Sequence, residues 1–85
     1  MPYIKEERRK SFRTLIKRLA GGILNEGEMN YVVFKIMKEW IDIHGKNYKN
    51  LSSCISALEN SKLEFYRRCV GPYEDEKIIE NGDIK

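Results

Sequence analysis

Met29-Asn30-Tyr31-Val32-Val33-Phe34-Lys35-Ile36-Met37-Lys38-Glu39-Trp40-Ile41-Asp42-Ile43-His44 is the stretch on which the fold turns. Placed on a helix, where successive residues rotate by about 100°, its apolar side chains spread over an arc of roughly 200°. That is about twice the width of an ordinary amphipathic stripe. Only Glu28, Lys35, Lys38, Glu39 and Asp42 mark a polar edge. A helix this apolar needs cover from the rest of the chain or from another subunit. Two polar residues interrupt the arc. Asn30, if buried, must find hydrogen-bond partners, either by fixing helix packing or by lining a pocket. His44 falls in the last turn, where a partly positive imidazole suits the helix dipole.

Working outward, Asn25 followed by Glu28 forms a capping-box pattern that starts this helix, and Gly45 stops it. Upstream, Phe12, Leu15, Ile16 and Leu19 give a single apolar stripe, and Glu6 and Glu7 suit a first helical turn. Gly21-Gly22 is expected to end that helix through a left-handed cap. Arg8 lies in the apolar sector, either snorkelling outward or serving a ligand. Downstream, Asn47 or Asn50 is the expected cap of a third helix whose inner face carries Leu51, Ile55, Leu58, Phe65 and Cys69. Lys62 falls on that inner side and must snorkel, pair with a carboxylate or meet an anion. Glu64 and Arg68 are spaced as an i, i+4 pair. Gly71-Pro72 is expected to break the helix and start another, with Glu74, Asp75 and Glu76 in its first turn. The expected fold is therefore all-α, a compact bundle of helices over about 5–20, 26–44 and 48–70, with a short fourth helix or turn at about 72–80. One helical domain spans 1–85.

The totals narrow the function. Eighty-five residues hold one small core. Charged residues make up 34% of the chain, and the mean hydropathy of −0.59 belongs to a polar sequence. The start carries no hydrophobic signal region and no run approaches a membrane span, so the expected compartment is the cytoplasm, without membrane association. Cys54 and Cys69, fifteen residues apart on one helix, are separated by about 22 Å, beyond disulfide reach. His44 is the lone histidine and lacks partners at metal-ligand spacing, so no metal or cofactor is expected. The net charge of +3 is unevenly placed. A basic head and an acidic tail suggest mutual attraction within or between chains, or else two solvated termini.

Gly27-Glu28-Met29-Asn30-Tyr31-Val32-Val33, Lys62-Leu63-Glu64-Phe65-Tyr66-Arg67-Arg68, Pro72-Tyr73-Glu74-Asp75 and Asn81-Gly82-Asp83, with the opening Met1-Pro2-Tyr3-Ile4, resemble a domain-of-unknown-function family of short phage, prophage and bacterial proteins. Asn60-Ser61 departs from the Cys-Val type of pair expected there. The resemblance supplies no activity. It implies a phage or mobile-element setting, and thus the host cytoplasm for a phage-encoded protein.

No nucleophile–base pair, carboxylate cluster or phosphate-cradling glycine loop points to catalysis. The expected role is a non-enzymatic binding protein, an inhibitor or adaptor acting through protein–protein contacts, since exposed Tyr, Arg and Met suit interface hot spots. One alternative is a sponge for an anionic small ligand, such as a nucleotide immune signal, relevant to anti-defence. Another is a helix-turn-helix-like nucleic-acid binder reading through Tyr48, Lys49, Asn50, Ser52 and Ser53. Its link over 45–50 looks longer than such motifs use, and the acidic tail opposes phosphate. The candidate binding residues are Arg8, Asn30, Lys62, Tyr66, Arg67, Arg68 and Tyr73. So small a core also favours a homo-oligomer, with a host protein or anionic ligand as partner.

Overall fold

The computed structural model describes residues 3–84; the Met1-Pro2 opening and Lys85 lie outside them. The chain is all-α, with helices α1 (Glu6–Gly22), α2 (Glu26–His44), α3 (Tyr48–Phe65) and α4 (Gly71–Asn81), and a π-helical segment, Tyr66–Val70, joining the last two. By contact the chain divides into two units, one running to Leu51 and the other beginning at Ser52.

In the first unit, the start and end of each helix follow from a few residues. Glu6 and Glu7 occupy the first turn of α1. Arg13 donates to Glu6 Oε1 at 2.8 Å, and Arg9 lies 3.7 Å from the other oxygen. Gly21 and Gly22 do not form the expected left-handed cap. Both stay inside α1, which ends when Ile23 turns to extended backbone (φ −85°, ψ 118°) while its N–H still bonds Ala20 O. The chain exits by straightening, so no residue there needs positive φ.

Asn25 then caps α2 as its spacing predicts: its Oδ1 accepts from Glu28 N at 2.9 Å. The reciprocal half of the box is displaced by one residue. Glu28 Oε1 accepts from Leu24 N at 2.7 Å rather than from the cap residue itself. Gly45, at φ 113°, closes α2, in a region that a side chain would disfavour. Asn47 caps α3, accepting from Asn50 N at 2.9 Å. Asn50 completes the corner by donating its amide to Gly45 O at 2.9 Å. The link between α2 and α3 is thus Gly45-Lys46-Asn47, as the expected helix bounds of 44 and 48 require and shorter than the 45–50 stretch that an Asn50 cap would leave.

In the second unit the expected break at Gly71-Pro72 does not occur. Val70 and Gly71 both keep right-handed helical backbone, and Gly71 N–H donates to Tyr66 O, five residues back. A proline inside a helix removes one N–H and drives its ring against the carbonyl four residues earlier, here that of Arg68. The wider π turn accommodates this clash without ending the helix. A Cβ on Gly71 would stand 3.4 Å from Tyr66 O, so glycine suits the closely approached position beside the proline.

Burial is slight. Ile41, at 7% exposure, is the one buried apolar residue among those described. Phe34, Ile36 and Ile43 on α2 remain exposed, as do Phe12, Leu15 and Ile16 on α1.

Candidate functional site

The second unit gathers five of the seven residues singled out from sequence: Lys62, Tyr66, Arg67, Arg68 and Tyr73. They lie on the end of α3, the π segment and the start of α4. Glu64 is the centre of this group, its side chain only 19% exposed. Its Oε1 accepts from Arg68 Nε at 2.5 Å and from Arg67 Nη2. These hydrogen bonds, that from Arg68 foremost, hold the Glu64 carboxyl below its ordinary range. Two guanidinium groups share this one carboxylate and are still largely exposed.

Tyr66 and Tyr73 stand around the proline turn. Tyr66 Oη donates to Glu74 Oε1 at 2.7 Å, which raises the phenol's pKa. The Tyr73 ring carries Lys77 Nζ 5.4 Å from its centroid, a cation–π distance. Both rings are more than half exposed. The wide turn sets these partners: Tyr66 and Glu74 are eight residues apart, a reach that spans the π segment. The result is an exposed surface of Tyr66, Arg67 and Tyr73 beside a fixed carboxylate–guanidinium knot.

Lys62 is not on an inner face. It is exposed and pairs with Glu59 Oε1 at 3.1 Å, taking the carboxylate option open to it from sequence. The sequence reading missed Glu59 as that partner, although the i, i+3 spacing was there to find it. It also missed Glu74 as the acceptor for Tyr66, because a straight α-helix offers no obvious i+8 neighbour.

Arg8 and Asn30 belong to the first unit. Arg8 is exposed, with its guanidinium carbon 5.1 Å from the Phe12 ring centroid, so its charge covers an aromatic face. Asn30 is exposed on α2 rather than buried in its apolar arc. The requirement for internal partners does not arise there. At the α2–α3 corner the three-residue link now matches helix-turn-helix spacing. Asn50, one of the supposed base readers, instead spends its amide on the corner's own carbonyls.

Cys54 and Cys69 are free thiols. Among the described residues no three His, Cys, Asp or Glu side chains converge as a metal site. No described helix is long and apolar enough to cross a membrane. The family described as Domain of unknown function (DUF6899) matches residues 1–84. No curated protein and no solved structure matches the chain.

Proposed function

The chain belongs to the DUF6899 family, and from that premise we propose that it is a small non-enzymatic binding protein, an inhibitor or adaptor that works through protein–protein contacts. The observation that carries this reading is the outward placement of its large side chains. In the unit from Ser52 onward, Phe65, Tyr66 and Tyr73 are all exposed. Large aromatic side chains held outward around one turn suit an interaction surface. The Tyr66–Arg67–Tyr73 turn adds the residue types enriched in interface hot spots. The cations that a nucleotide sponge would need are engaged by carboxylates beside them: Lys62 by Glu59, Arg67 and Arg68 by Glu64. That supports recognition of a protein over capture of a free phosphate.

In this reading the protein is phage- or prophage-encoded, folds as a single helical domain, and acts in the host cytoplasm. The test is affinity capture. Tagged protein passed over extract of host bacteria should retain a specific partner, which the Arg67→Ala/Tyr73→Ala variant releases while keeping its helical circular dichroism. No retained partner, or retention indifferent to the variant, overturns the reading. A nucleotide panel run by thermal shift is the companion measurement. Stabilisation abolished by Lys62→Ala would replace the binding-protein reading with the sponge.

A further inference from the structure

α3, the π segment and α4 form one run of helical backbone with an interruption at its middle. Gly71 N–H donates to Tyr66 O, and Pro72 has no N–H to give. The carbonyl of Arg67 thereby loses both of its helical donors, residue 71 in the α pattern and residue 72 in the π pattern. One rung of the ladder is missing there. Sharp bends in helices concentrate at prolines and at π turns, and this joint has both.

Side chains stiffen the arms on either side. Before the joint, Glu64 on α3 holds Arg67 and Arg68 of the π segment. Beyond it, Lys77 lies over the Tyr73 ring and donates to Glu80 Oε2 at 3.0 Å, tying two turns of α4 together. Gly71, without a Cβ, sits at the joint itself. Tyr66 Oη then reaches from one arm to the other, 2.7 Å from Glu74 Oε1. A weakened joint between two stiff arms, crossed by a side-chain hydrogen bond, has the construction of a hinge with a strap.

Magnitude decides how firmly the strap holds. A hydrogen bond between exposed groups shifts an equilibrium by roughly two- to fivefold. That is enough to favour one angle of α4 and too little to lock it. We infer that the π segment is a hinge between α3 and α4, and that the Tyr66–Glu74 hydrogen bond is the strap that selects its closed angle. In the binding reading above, a partner that took the Tyr66 hydroxyl for itself would free α4. The hinge goes beyond that reading, because it is a property of the chain alone and stands without a partner.

The experiment uses the purified full chain, spin-labelled at the exposed positions Ser53→Cys and Ile79→Cys, with Cys54→Ser and Cys69→Ser removing the native thiols. The labelled residues are at most about 40 Å apart along the helices, within reach of double electron–electron resonance. With the strap intact, one distance should dominate. Tyr66→Phe, which removes the donor and keeps the ring, should broaden the distribution and move population roughly two- to fivefold toward other distances. Glu74→Ala removes the acceptor with helix propensity kept and should do the same. Pro72→Ala restores the missing N–H, so Pro72→Ala/Tyr66→Phe should again give one dominant distance. Equal widths with and without Tyr66→Phe overturn the inference, as does a Pro72→Ala/Tyr66→Phe variant as broad as Tyr66→Phe alone.

Discussion

Tyr66 donates its phenolic hydrogen to Glu74 Oε1 at 2.7 Å, across a π-helical turn that ends beside Pro72. The bond raises the phenol's pKa above its ordinary value of 10.0. A phenol held protonated in the fold contributes stability that is complete below that value. The contribution disappears as pH climbs from there through the raised one. In a tyrosine titration followed by NMR, Tyr66 should therefore ionise above the ordinary tyrosine range. Tyr66→Phe should abolish the late titration and lower the melting temperature only slightly, since the pair is exposed.

Pro72→Ala should let the turn tighten. With the N–H restored and the ring gone, residue 71 is expected to bond Arg67 O in ordinary α register rather than Tyr66 O. Tyr66 and Glu74 would then rotate out of line. The variant should return the Tyr66 titration to the ordinary tyrosine range, and amide exchange should show one added protected N–H at residue 72. An unchanged late titration would mean that the π turn does not depend on the proline.

Glu64 gives the opposite pH dependence at the acid end. Hydrogen bonds from Arg68 and Arg67 hold its carboxyl below the ordinary 4.5. Its contribution is present above that value and is lost as pH falls through the depressed one. Helicity followed by circular dichroism should decline over that acid window, and Glu64→Gln should flatten its share of the decline. Glu64→Gln should also loosen Arg67 and Arg68, visible as averaged guanidinium resonances.

The caps carry a more ordinary prediction. Asn25→Ala and Asn47→Ala each remove a side-chain acceptor at a helix start, and each should cost about 1 kcal/mol in urea unfolding. Asn47→Asp, which keeps the acceptor, should cost much less. Equal losses in the Ala and Asp variants would assign the effect to Asn50 and its bonds to the corner instead.

Local chemistry was legible in the sequence. The Asn25 cap, the stop at Gly45 and the Glu64–Arg68 pair all rest on residues within four positions of each other, where spacing alone decides geometry, while the choice between Asn47 and Asn50 as the α3 cap stayed open until the structure gave it to Asn47. The errors arose where a local rule had two physical outcomes. Gly21-Gly22 permits a left-handed cap but does not require one. Gly71-Pro72 usually ends a helix, yet a π turn absorbs the same clash at the cost of a rarer hydrogen-bond pattern. The Tyr66–Glu74 pair depends on that turn and so was hidden with it. Asn30 and Lys62 were placed inward by wheel arithmetic, which assumes that a helix face has something to cover it. In this chain both are exposed.

Amide exchange over residues 64–76, measured with and without the partner retained from host extract, reads directly whether the turn of Tyr66, Arg67 and Tyr73 is a protein-binding surface. Added protection there, absent from the Arg67→Ala/Tyr73→Ala variant, is the predicted result. Unchanged exchange over those residues on addition of the partner would contradict it.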